Sequence, residues 1–103
     1  MRRLAAAFSW VHEQLPETRI VLAGFSFGSY VAAAVASRVI RLHALISVAP
    51  PVHHYDFNAI ELPSCPWLVL MGDQDEVVPL AAVLQWAEQN AAHLDYQQIA
   101  VSY

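Results

Sequence analysis

The chain lacks several of the residues on which common classes of binding site depend. Its 103 residues include five arginines but no lysine, three glycines and a single cysteine. With a net charge of −4 and no cluster of basic residues, nucleic acid is not an expected partner. Cys65 alone excludes an internal disulfide and a cysteine zinc cluster, and fits a cytoplasmic protein. No apolar run approaches the roughly 20 residues that cross a bilayer, so no membrane partner is expected.

Apolar side chains, by contrast, are abundant, at 57% of residues against 14% charged. This is enough for one small domain, residues 1–103. Hydrophobic periodicity predicts helices over 4–15, 28–37 and 79–91, and strands over 19–24, 43–49, 67–71 and 96–101. Short apolar strands that alternate with helices favour the α/β class. The predicted architecture is a parallel sheet with flanking helices on both faces, in three layers.

Two parts of this prediction are less regular. The connection over residues 50–66 holds four prolines and shows no helical pattern, although parallel strands need a crossover of that length. In the last helix, the spacing places Leu80, Val83, Leu84 and Ala87 inward. The three tryptophans, Trp10, Trp67 and Trp86, lie in apolar patterns and are predicted to pack in the core or between a helix and the sheet.

The most informative short segment is GFSFG, residues 24–28, which has the pattern G-x-S-x-G between a predicted strand and a predicted helix. A sharp turn there raises the Ser26 hydroxyl above the carboxyl end of the strand. Bulk at Gly24 or Gly28 is expected to collide with neighbouring backbone. The backbone N–H of Phe27, which follows the nucleophile, is the predicted oxyanion-hole donor. The alternative is that Ser26 only caps the helix.

A serine nucleophile requires a base, and the base requires an orienting carboxylate. The segment MGDQDEVVP, residues 71–79, places an acidic turn after the third predicted strand. Asp75 is the candidate acid and Asp73 the second choice, whereas Glu76 is expected to face solvent. The alternative is a solvated acidic loop before the next helix.

Three segments together resemble the α/β-hydrolase superfamily: LAGFSFGSYVA, ISVAPPVHHYDF and CPWLVLMGDQDEVVP. They are most similar to small bacterial hydrolases of the dienelactone-hydrolase-like and acyl-peptidase-like groups. The pattern G-x-x-D-x-x-V-P from Gly72 to Pro79 is the more specific part of this resemblance. The resemblance implies that Ser26 is the nucleophile and Asp75 the acid of a serine hydrolase. It implies a small-molecule acyl substrate, in an ester, thioester or related bond, and no cofactor.

The chain departs from that family at the base. The resemblance implies a histidine after the strand that follows the acid turn, and none of the five histidines fits. His53 and His54 precede the acid, and His93 lies near a helix end before the last strand. The resemblance also implies several strands before the nucleophile strand, and we expect the loop after one of them, which supplies the second oxyanion donor, to lie outside this chain. We therefore expect a partial α/β-hydrolase domain that is inactive alone and has an unpaired apolar strand edge. A peptidase on the same fold and a non-catalytic truncated chain remain alternatives.

The remaining polar residues suggest no further site. The run His53-His54-Tyr55-Asp56 is weighed as a metal site and set aside, because adjacent histidines in a loop usually diverge and no further ligand pair has usable spacing. The same loop is instead predicted to line the mouth of the pocket, where Tyr55 and Phe57 contact an apolar group of the substrate. Cys65 is predicted to be a small buried thiol with no base to activate it.

Overall fold

The computed structural model of the chain describes residues 2–38 and 41–100. Three α-helices and a short 3₁₀ turn alternate with four strands. The helices are α1 (Arg2–Gln14), α2 (Phe27–Ala36) and α3 (Leu80–Gln89), and the 3₁₀ turn is Phe57–Ala59. The turn lies within the long proline-containing connection, for which the sequence predicts no helix. None of the helices in these two ranges is long and apolar enough to cross a membrane.

The strands form one parallel sheet in the order β1-β2-β3-β4. They are β1 (Ile20–Phe25), β2 (Leu42–Val48), β3 (Trp67–Gly72) and β4 (Asp95–Ile99). The predicted parallel sheet with flanking helices is therefore confirmed, with element ends that differ from the predicted ends by at most two residues. The predicted end of the last strand, residue 101, falls outside the described residues.

The core lies on one face of this sheet. Small residues of α2 and larger ones of α3 meet the buried residues of β2 and β3 in a single apolar cluster. Its members include Ala32, Ala33, Ala36, Leu45, Val69, Met71, Val83 and Trp86. Trp67 Nε1 donates to Ser47 Oγ at 2.9 Å across two strands, so the polar atoms in this layer are paired. The alanines of α2 allow that helix to lie close to the sheet, and this brings the turn that precedes it against the strand ends.

The opposite face of the sheet, which we call the open face, is less well covered. Val21 and Phe25 of β1 are exposed there, and Ile46, Leu68 and Leu70 are only partly buried. The expectation of helices on both faces is thus met on one face in the part of the chain that the structure describes. In that part β1 is also an edge strand, as expected. The open face and the free edge of β1 are therefore both available for contact with another polypeptide segment.

Two predictions about packing are wrong. Trp10 is 61% exposed, because Phe8 of the same helix packs on the core and a residue two positions later points to the far side. Leu84 is 38% exposed, since Val83 and Ala87 form the buried stripe of α3 and Leu84 lies at its margin. Trp67 and Trp86 are buried as predicted.

Candidate active site

The predicted site residues lie where strands end at one edge of the sheet. Backbone hydrogen bonds continue the ladder beyond the strand ends and hold the turns against that edge. Ser26 N donates to Val48 O, Ala49 N to Leu70 O and Asp73 N to Ile99 O, each at 2.9 Å. Because all four strands are parallel, the turn after β1 and the turn after β3 emerge on the same side. Crevices outside the carboxyl ends of such strands are where α/β proteins bind ligands.

The turn after β1 is sharp and strained at Ser26. This residue has φ 54° and ψ −123°, in a region that side chains other than glycine rarely occupy. A Cβ at Gly24 would lie 2.7 Å from Ser29 Cα and closer still to the Gly28 carbonyl, so only glycine fits. The prediction that bulk at Gly28 collides with neighbouring backbone is wrong, because a Cβ there meets nothing within 4 Å in the described residues. The close approach is made by the backbone of Gly28, and the space for it is left by Gly24.

The Ser26 side chain does not cap α2, although Ser26 occupies the N-cap position. It makes no capping hydrogen bond. The turn is held instead through the Ser26 carbonyl, which accepts from Ser29 N at 2.9 Å and from Ser29 Oγ at 2.5 Å. Phe27 is the first residue of α2, and its N–H has no acceptor within the helix. The arrangement leaves the Ser26 hydroxyl for other partners, next to a helix terminus that favours negative charge.

The turn after β3 is organised around one carboxylate. Asp75 Oδ1 accepts from Val77 N at 2.9 Å and from Val78 N at 2.7 Å. Asp75 is partly buried, and within the described ranges no hydrogen bond occupies its Oδ2. Glu76 is exposed, as expected. The contacts orient Asp75 while leaving one oxygen for an imidazole N–H, which is the geometry that an orienting acid needs.

The described residues bring no imidazole to Ser26. His53 and His54 follow β2 at the same edge, but both are exposed, their rings lie 4.0 Å apart, and neither bonds to Ser26 or Asp75. His93 lines a 460 Å³ depression with Trp67 and Asp95, at the amino ends of β3 and β4 and so at the opposite edge.

The other two histidines are no better placed. His43 lies at the start of β2, and His12 packs on Phe8 of α1, where both of its ring nitrogens are buried without a hydrogen-bond partner among the described residues.

Sequence reasoning missed an aromatic cluster beside the serine. The Tyr55 ring lies 5.3 Å from that of Phe27 and stacks at 4.9 Å on Tyr30, which is three residues after Phe27 on the same face of α2. Phe57 was expected to contact a substrate directly, and this is wrong because it is only 4% exposed and supports Tyr30 from within the core. The i, i+3 spacing of Phe27 and Tyr30 was the available signal.

Cys65 is less buried than the predicted small buried thiol. It is partly buried, and burial raises the pKa of its thiol, against a smaller lowering effect of its backbone hydrogen bond. A raised pKa keeps the group neutral and unreactive. No group of three or more histidine, cysteine, aspartate or glutamate side chains is arranged to hold a metal ion in residues 2–38 and 41–100.

Comparisons with known proteins identify the family and the fold. The dienelactone hydrolase family matches residues 1–101. An α/β serine hydrolase homologue from Coxiella burnetii is 38% identical, with a TM-score of 0.85 over 96% of this chain and 47% of that one. An α/β serine hydrolase without a lid from Xanthomonas campestris is 37% identical, with a TM-score of 0.85 over 96% of this chain and 44% of that one. An uncharacterized protein of Rickettsia prowazekii is 31% identical over 77 residues, which are 71% of this chain and 32% of that protein. The chain therefore spans less than half the length of these relatives.

Proposed function

Because the chain belongs to the dienelactone hydrolase family, we propose that the protein carrying it is a serine hydrolase. Its substrates are small molecules with an ester, thioester or related acyl bond. Ser26 is the nucleophile, Asp75 the orienting acid and the Phe27 N–H an oxyanion donor. The observation that carries the proposal is the backbone of Ser26, strained at φ 54° with its hydroxyl unused by the helix. Strain of this kind concentrates at functional sites.

The proposed reaction has two steps. Ser26 Oγ forms a bond to the acyl carbon, and the carbonyl oxygen gains negative charge close to the Phe27 N–H. The bond to the alcohol or thiol then breaks, and the leaving group takes the proton that Oγ lost. Water next attacks the acyl-enzyme, which releases the carboxylic acid and restores the serine. In both steps the proton passes through an imidazole that the family resemblance implies and that Asp75 orients through its free Oδ2.

The first experiment is covalent labelling of the complete protein with a fluorophosphonate probe. We expect labelling at Ser26, and complete loss of it in Ser26→Ala, because the probe reacts only with an activated hydroxyl. Ser64→Ala is the matched control, since Ser64 is an exposed serine in the connection between β2 and β3, and it should label normally. Labelling that persists in Ser26→Ala would refute the assignment of the nucleophile.

A further inference from the structure

Six aromatic rings form a continuous array that runs from the surface beside Ser26 into the core. Each ring lies between 4.9 and 5.5 Å from the next. In order they are Phe27, Tyr55, Tyr30, Phe57, Trp86 and Trp67. The separations fall within the range at which aromatic pairs attract one another beyond simple burial of area.

The array is anchored at its inner end and exposed at its outer end. Trp67 donates to the buried Ser47, and Phe57 and Trp86 are members of the core cluster. Exposure rises outward, to 38% at Tyr55 and 54% at Phe27. The outer rings are therefore presented to solvent on an ordered support, which reduces the entropy lost when a ligand binds to them.

The position of the exposed rings points to a substrate contact. Phe27 follows Ser26 directly. Tyr55 lies in the connection after β2, and β2 pairs with β1 as far as the turn that holds Ser26. We propose that Phe27 and Tyr55 form an aromatic platform that binds an aromatic group of the ester substrate beside Ser26. This inference rests on the proposed function and narrows its substrate class to esters that carry an aryl group.

An aromatic group is favoured over an aliphatic one by the geometry of the pair. The Phe27 and Tyr55 rings are inclined at 45° to each other, so a third ring can stack on one and contact the other at an inclined angle. Such contacts add an attraction beyond the burial of area, which a saturated ring of equal size cannot gain. The expected preference is about three- to tenfold.

The test compares esters that differ only in aromaticity. Benzyl acetate and cyclohexylmethyl acetate place the ring on the alcohol, and methyl phenylacetate and methyl cyclohexylacetate place it on the acyl group. Dissociation constants for the Ser26→Ala variant of the complete protein, measured by NMR titration, report on the platform without chemistry. The kcat/KM ratio within each pair is then measured on the unmodified protein. The pair that shows the preference identifies which part of the ester the platform holds.

Substitutions then test whether the preference depends on the aromatic rings of the platform or only on the size of the side chains. Tyr55→Leu and Phe27→Leu should reduce the preference to about one, whereas Tyr55→Phe should keep it, because the ring remains. Trp10→Leu is the matched control, since Trp10 is an exposed ring outside the array, and it should keep the full preference. Circular dichroism and thermal unfolding confirm that each variant is folded.

Two results would overturn the platform. One is the absence of any aromatic preference, in either pair, in binding to Ser26→Ala. The other is a preference that both leucine variants retain. If the unmodified protein is not labelled by the fluorophosphonate probe, the proposed function is refuted instead. The binding measurements on Ser26→Ala would still show whether the platform binds an aromatic group.

Discussion

The turn after β1 and the turn after β3 lie at the same edge of the sheet but are built in opposite ways. The first is shaped by close backbone contact, with Ser26 in a strained conformation and Gly24 against the Gly28 carbonyl. The second is shaped by attraction, with two backbone N–H groups donating to Asp75 Oδ1. Added atoms should therefore destroy the first turn, whereas loss of charge should leave the second turn in place. A substitution at Ser26 therefore changes the turn and the proposed nucleophile together, whereas a substitution at Asp75 can remove the proposed acid and keep the turn.

The largest effect is expected from Gly24→Ala, which tests the steric half of this comparison. The new Cβ meets backbone that cannot move independently, so we expect the free energy of unfolding to fall by about 3 kcal/mol. We also expect fluorophosphonate labelling to be lost. Gly28→Ala is the matched control and should change stability by less than about 1 kcal/mol, because a Cβ there meets no atom of the described chain. Thermal unfolding and labelling of the complete protein measure both, and a fully stable, reactive Gly24→Ala variant would contradict the steric account.

Asp75→Asn tests the electrostatic half. The amide oxygen can still accept from Val77 N and Val78 N, so stability should change by about 1 kcal/mol or less. Turnover of an ester should nevertheless fall by about 10³- to 10⁴-fold, because a neutral amide stabilises a charged imidazole poorly and favours the wrong tautomer. Kinetics on the complete protein give the loss. If Asp73→Asn shows this loss and Asp75→Asn does not, the acid is Asp73.

The smallest effect is expected from Ser29→Ala, which removes one of the two bonds to the Ser26 carbonyl. The bond from Ser29 N remains, so the unfolding free energy should fall by only about 1 kcal/mol and kcat/KM by about tenfold. Ser37→Ala removes a similar bond, from Ser37 Oγ to Ala34 O at 2.8 Å, at the other end of α2. It should cost similar stability and no activity. Equal activity losses in the two variants would show that Ser29 has no positioning role.

Local backbone geometry was predictable from the sequence because it depends on few residues. Gly24 and Ser26 between a strand and a helix predicted the sharp turn, and the apolar runs predicted the parallel sheet. The role given to Gly28 was wrong because a motif shows where glycine occurs and not which atoms approach it. The assignments of Ser26 and Asp75 to catalytic roles remain predictions, as does the missing base.

Packing was less predictable because it depends on contacts between distant segments. Periodicity shows that β1 and β3 are apolar on both sides but not which elements cover each side, so the open face was not foreseen. Trp10 and Phe57 were misplaced for the same reason. Their environments depend on how α1 and the long connection pack against the rest of the fold, and not on their own neighbours in the chain.

The strain at Ser26 also sets stability against the proposed nucleophilic role at a single position. A glycine would adopt φ 54° without steric cost, so the backbone would be less strained with no side chain at residue 26. Any substitution that relaxes the turn in this way also deletes the hydroxyl. Selection for thermal stability alone would therefore favour glycine at residue 26, and the resulting protein would be more stable but would lack the proposed nucleophile.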